Sequence, residues 1–457
     1  MKKRAIVWAA LACVLFSIPP AAAGTLSSSG GATAQQPATP SAPPAPAPAP
    51  AATPQPAPGH VTAYTLPPDT YRKAHRLGQI AFWGQLVVFV YSLGVLLLVL
   101  RWRLAPRYRR WAERATSARF LQAAIFAPLF LGSVAVLEIP ADIAQHWVMH
   151  RFGLSIQGWA SWSWDWTKGQ SLSLLLGIIL VWILRAVIRR SARRWWFYFW
   201  VASLPILVFV VFLQPLVVDP LFHKFAPLAQ KDPELTVALE RMVRRAGEDI
   251  PPERMFWMGA AEKSTAVDAY VTGIGASKRM VVWDTTLAKM TTPQIVYVAG
   301  HETGHYVLYH IVKGLAYYAG CLLAFFYIGY RCIGWMLSRW GAGWEIRGVN
   351  DWASLPALLF LLTILAFLAN PATSAFSRYV EHQADQYGLE VTHGLTPDAG
   401  QVAAQAFQVL GEVDLADPDP NPVDVFLFYS HPPVPDRIRF VLNYDPWSHG
   451  GRGEFVQ

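Results

Sequence analysis

The stretch "AGHETGHYVLYH", residues 299–310, places two histidines four apart with a glutamate directly after the first. On a helix, positions i and i+4 share a face, so His301 and His305 can direct their imidazoles at one point with Glu302 beside them. That is the geometry of a zinc-dependent peptidase helix, with two neutral imidazoles as ligands and a carboxylate as general base for the water the metal activates. Alone the pattern carries modest weight, because two polar side chains can share a helix face and bind nothing. Uncharged Thr303 and Gly304 inside it, with Val296, Val298 and Val307 around it, supply an apolar helical setting.

A catalytic zinc needs a third protein ligand and an open position. "SRYVEHQADQYGLE", residues 377–390, offers Glu381 and, four residues on, Asp385. Glu381 can complete the shell while Asp385 accepts a hydrogen bond from a ligating imidazole and fixes its tautomer. The competing reading is a solvated acidic helix face. Position argues for the first: this helix follows the last apolar span as the HETGH helix precedes the fifth, so a hairpin through a membrane can bring the two together. His146 and His150 are also four apart, but no glutamate lies between them and no carboxylate follows at ligand spacing. His310, His382 and His393 flank the motifs, and surface or packing roles are expected for them.

The elements that must position these residues are membrane helices. The chain is 53% apolar and 15% charged, which is not a soluble balance. Its net charge of +8 sits in short basic clusters beside apolar runs, the pattern that orients membrane proteins, so nucleic-acid binding is not expected. Six apolar stretches, at about 80–100, 120–139, 171–188, 197–217, 311–335 and 352–368, are long enough to span as helices. The arginine-rich connections 101–114, 185–196 and 331–351 should be cytoplasmic, which puts the polar region 219–310 and the tail from Pro371 on the outer face.

The start, "MKKRAIVWAALACVLFSIPPAAAG", reads as a secretory signal peptide over residues 1–23, consistent with that orientation. Residues 24–66 form a disordered Pro/Ala-rich tether. An N-terminal membrane domain with four spans follows over 67–218, and 219–457 holds the metallopeptidase site with the two further spans. Cys13, Cys321 and Cys332 make no disulfide framework and no cysteine metal site. "WASWSWDW", residues 159–166, suits the headgroup layer. A transporter would carry charges inside its spans, and these carry little besides Glu138 at a span end.

HETGH with the later "EHQAD", preceded by "DPLFHKFAPL" and "VDAYVTGIGASKRMVVWDTTL" and followed by "SHPPVPDRI", resembles the integral-membrane CAAX prenyl protease type 1 group. These are gluzincin peptidases of the M-forty-eight family, which also holds HtpX-like membrane proteases. The resemblance runs from about residue 71 to 442. It implies one Zn2+ per chain held by His301, His305 and Glu381, with Glu302 as general base and Asp385 as partner of a ligating imidazole. It further implies that His431 steadies the tetrahedral oxyanion and that Arg437 supports the site. "AYVTGIGASKRMVVW" reads as two strands joined by a turn at 273–277, and the resemblance makes an edge strand there the rail for an extended substrate.

Two departures stand out. Asp268 replaces the family's usual asparagine, exchanging a side chain that donates and accepts for one that only accepts when ionised. The additional first span of eukaryotic members is replaced here by the signal peptide and tether, so prenylated cytosolic proteins are not expected as substrates.

The expected fold is mainly α, a polytopic transmembrane helix bundle with a gluzincin-type zinc metallopeptidase domain and a small β edge. The expected function is a membrane-embedded zinc endopeptidase acting on membrane-associated or extended protein substrates from the outer side of a bacterial inner membrane. The alternative is a catalytically silent, zinc-stabilised membrane scaffold, against which Glu302 argues, since a structural zinc site does not require it.

Overall fold

The structure, a computed structural model, describes residues 59–213, 218–273 and 275–456. The signal peptide expected over 1–23 and most of the tether lie outside the described residues. The N-terminal helices are α1 (Pro68–Arg101), the short arginine-rich α2 (Leu104–Ala115), and the apolar α3 (Arg119–Arg151), α4 (Trp159–Arg190) and α5 (Trp195–Leu213). Next come β1 (Phe225–Pro227), α6 (Pro233–Arg245), β2 (Met255–Met258), β3 (Ala269–Thr272) and β4 (Arg279–Trp283). The HETGH helix is α7 (Thr292–Val307), followed by α8 (His310–Trp340), α9 (Leu355–Thr392), α10 (Ala399–Asp414), α11 (Pro422–Phe428) and α12 (Val434–Asn443).

Among the described residues, α1, α3, α4, α8 and α9 are long and apolar enough to cross a membrane. The sixth expected span falls on α5, whose described apolar stretch, Trp195–Val208, is shorter. Phe126, Phe130, Leu184, Phe326, Leu358 and Leu359 fill the core of this bundle. The arginine-rich connections meet at one end of it. Arg109 forms a buried ion pair with Asp351, and the fully buried Arg185 donates to the carbonyl of Val349 at 2.6 Å and to Ser354 Oγ at 3.0 Å. A guanidinium removed from water needs such partners, and here they knit the 331–351 connection to α2 and α4.

Helix α9 departs from expectation. Instead of a span followed by a separate helix, it runs unbroken from Leu355 through Pro371 to Thr392, so a membrane span and the carboxylates of Glu381 and Asp385 share one rod. Helices α7 and α8 do break, at Leu308 and at Tyr309, which takes a left-handed conformation with φ 57°.

A second core, built by Leu235, Leu239, Met255, Val282, Phe407 and Ile438, belongs to the peptidase region. Its sheet has the order β1-β2-β4-β3, with β2 and β4 parallel and the other pairs antiparallel, which leaves β3 at the edge. The β3–β4 hairpin expected from the sequence is present. Its turn needs Gly273, at φ 95°, because a Cβ there would lie 2.2 Å from the carbonyl oxygen of Ser277. Residues 59–66, read above as the end of the tether, are docked instead. Val61 exchanges hydrogen bonds with the Gln401 amide, and the Tyr64 hydroxyl donates to the carbonyl of Ala416.

Candidate active site

Helix α7 starts at a capping box, in which Thr291 and Gln294 exchange side-chain and backbone hydrogen bonds, with Pro293 in the first turn. It crosses α9 closely because glycines line the crossing: a Cβ on Gly388 would stand 3.0 Å from Tyr297 Cε2 and 3.2 Å from the backbone nitrogen of His301. This approach sets His301 and His305 against Glu381 and Asp385.

The Nε2 atoms of His301 and His305 are 3.2 Å apart, and Glu381 brings Oε2 to 3.2 Å from the first and Oε1 to 3.7 Å from the second. A tetrahedral ion with bonds of about 2.0–2.2 Å sets its ligand atoms about 3.3–3.6 Å apart, so this trio fits such an ion. Glu302 also stands near: His301, Glu302 and His305 present ligand atoms within 4.8 Å of one another. Its Oε1 lies farther from His301 Nε2, at 3.9 Å, and its side chain retains 17% exposure against 3% for Glu381. The more buried and closer carboxylate suits a ligand, and the wetter one suits proton exchange with water.

Behind the trio, Asp385 Oδ1 lies 2.8 Å from His301 Nδ1, and Arg437 of α12 clamps the same carboxylate through Nε at 2.8 Å and Nη2 at 2.5 Å. Asp385 and Arg437 are both buried. Burial alone lowers the basicity of the His301 imidazole, but the carboxylates of Asp385 and Glu381, which accept from its ring nitrogens, outweigh it and raise the pKa to about 9. A pocket that retains a proton this firmly favours positive charge, and a metal ion can take that proton's place. The mutual attraction of Asp385 outweighs burial for Arg437 and keeps its guanidinium charged.

His431 follows α11 and brings Nε2 to 3.2 Å from Glu381 Oε2, while its Nδ1 contacts Ser430 Oγ at 2.8 Å. Burial pushes its pKa below the usual histidine value despite the attraction of Glu381. All seven residues singled out in the sequence therefore gather in one place. Beside them lies a small cavity walled by Val267, Met290, Val298, Phe407 and Leu410, into which His301 and Glu302 also open. The end of β3 is tied to α7 where the Tyr306 hydroxyl donates to the carbonyl of Gly273 at 3.1 Å.

One histidine given a bland role in the sequence belongs to the site. His310 is buried, and its Nδ1 lies 3.0 Å from His305 Nδ1. His382 and His393 do pack as expected, against the rings of Phe440 and Trp447. His146 is buried against the rings of Trp159 and Trp162, a packing role.

A family profile described as "Peptidase family M48" matches residues 229–445, and one described as "CAAX prenyl protease N-terminal, five membrane helices" matches 52–224. A Bacillus subtilis protein named "Uncharacterized metalloprotease YhfN" is 33% identical over 380 residues, covering 81% of this chain and 87% of that one. This chain belongs to peptidase family M48. Saccharomyces cerevisiae CAAX prenyl protease 1 is 24% identical over 81% of this M48 chain and 85% of its own. The crystal structure of S. mikatae Ste24p shares the fold, with a TM-score of 0.70 over 83% of this chain and 90% of that one at 22% identity. The M48 chain is thus an integral membrane metalloprotease, with lipid around its long apolar helices and peptide as its substrate class.

Proposed function

We propose that this M48 metalloprotease is a zinc endopeptidase that cleaves extended segments of membrane-associated proteins, one zinc per chain, at the outer side of a bacterial inner membrane. The convergence of His301, His305 and Glu381 within 3.7 Å, with Glu302 alongside, carries the reading. His301, His305 and Glu381 would hold the zinc, which when bound would supply Lewis acidity toward the scissile carbonyl and the attacking water. Glu302 takes the proton of that water and returns it to the leaving amine. His431, neutral at physiological pH, donates from its ring to the oxyanion as charge develops there. Asp385 holds the His301 ring by Nδ1, and Arg437 holds Asp385.

The position of β3 at the edge of the sheet supports backbone pairing with an extended peptide. What supports this orientation is the clustering of the arginine-rich connections at the end of α8 opposite His310, which under the positive-inside rule favours an outer site.

The test is cleavage of a pool of unmodified and prenylated peptides by the protein purified in detergent, with bound zinc measured in parallel. Glu302→Gln should lose about 10²- to 10⁴-fold in turnover with zinc retained, and His301→Ala or Glu381→Ala should lose the zinc. Undiminished turnover in Glu302→Gln sinks the assignment; zinc without cleavage of any peptide would favour the scaffold.

A further inference from the structure

The two imidazoles of the centre are backed by different chemistry. His301 rests on a carboxylate, Asp385, whereas His305 rests on a second imidazole. His305 Nδ1 and His310 Nδ1 are 3.0 Å apart, and the far nitrogen of His310, Nε2, lies 3.1 Å from Gln383 Oε1. Gln383 in turn directs its amide nitrogen at the Tyr379 hydroxyl, 3.2 Å away. Both histidines are buried, at 2% and 3% exposure, so the pairing is not exchanged for water.

With both rings neutral and the Gln383 oxygen facing His310, the protons along this row take one arrangement. An amide oxygen only accepts, so His310 carries its hydrogen on Nε2. In a neutral ring Nδ1 is then the acceptor, and His305 must donate from its own Nδ1. That leaves the lone pair of His305 on Nε2, the atom facing His301 Nε2 and Glu381.

We propose that His310, held by Gln383, is a positioning residue that fixes the proton of His305 on Nδ1 and so presents Nε2 as a metal ligand; this rests on the zinc-centre reading above. An imidazole as backing group adds no further negative charge to a pocket already holding Glu302, Glu381 and Asp385. It also crosses from the peptidase helix to the membrane hairpin. His310 opens α8, Tyr379 and Gln383 lie on α9, and the left-handed turn at Tyr309 folds His310 back onto His305.

The experiment measures zinc affinity of the full-length protein in detergent by competition with a fluorescent chelator, together with the thermal midpoint of each zinc-free variant as a check of folding. His310→Leu should weaken zinc binding by about 10- to 100-fold, the range found when a partner of a ligating histidine is removed. His310→Asn should restore most of it, because the asparagine oxygen can accept where Nδ1 did. Gln383→Leu should weaken binding in the same direction, and Gln383→Glu, which still accepts from His310 Nε2, should not. A folded His310→Leu with unchanged zinc affinity overturns the proposal, as does His310→Asn binding as weakly as His310→Leu. If His310→Leu does not fold, wild-type affinity in Gln383→Leu overturns it instead. Failure of the wild-type protein to bind zinc would refute the metal centre itself, a result distinct from either.

Discussion

Replacing Asp385 by asparagine separates the two tasks of that carboxylate. Asp385 is fully buried and meets His301 Nδ1 at 2.8 Å and the Arg437 fork at 2.8 and 2.5 Å. Arg437 is itself 3% exposed, with its guanidinium 4.0 Å above the Phe407 ring. The amide keeps the shape and removes the charge, which leaves a buried cation uncompensated at a cost of about 3–5 kcal/mol. At roughly 2–4 °C per kcal/mol for a domain of this size, the thermal midpoint of the zinc-free protein should fall by about 6–20 °C. Zinc affinity should fall by about 10- to 100-fold, since His301 loses the group that orients it. The double variant Asp385→Asn with Arg437→Met removes the stranded charge and should recover most of the midpoint, while zinc affinity stays low. Thermal melts in detergent and chelator competition read the two quantities independently. A single variant as stable as wild type, or a double variant no more stable than the single, would refute the reasoning.

The helix crossing and a buried acid give two further expectations. Gly388→Ala puts a methyl 3.0 Å from Tyr297 Cε2 and 3.2 Å from the His301 backbone, an overpacking that should cost about 1–3 kcal/mol and weaken zinc binding by moving α7 off α9; wild-type stability and affinity would contradict it. Asp424 on α11 is 5% exposed with Oδ1 lacking a hydrogen-bond partner, and burial, then repulsion from Asp417, raises its pKa to about 6. The folded protein thus holds this proton more tightly than the unfolded chain. Its ionisation costs nothing well below the unfolded pKa of about 3.9, where both states are protonated, and the full amount above the folded pKa. Asp424→Asn should therefore raise the thermal midpoint at about pH 8 and change it much less at about pH 4. The same shift at both pH values would show that ionisation is not the cause.

Much of this protein is legible in one dimension because its signals are local. Apolar length and arginine placement mark the helices that meet lipid, and a four-residue spacing puts His301 with His305 and Glu381 with Asp385 on single helix faces. The β3–β4 hairpin announces itself by its strand pattern and its glycine turn. His431 and Arg437 carry no such period. They lie some fifty residues beyond Glu381 and were legible only through resemblance to a family. His310 was misjudged for a physical reason: five residues after His305, it would face elsewhere on an unbroken helix, and only the left-handed turn at Tyr309 returns it. Tertiary structure also decided that residues 59–66 dock on α10 and that α9 runs unbroken from membrane to site. Each of these depends on which segments pack together, through glycine-lined crossings and buried ion pairs. Residue spacing records the period of a helix, whereas the approach of one helix to another depends on the shapes of both surfaces at once.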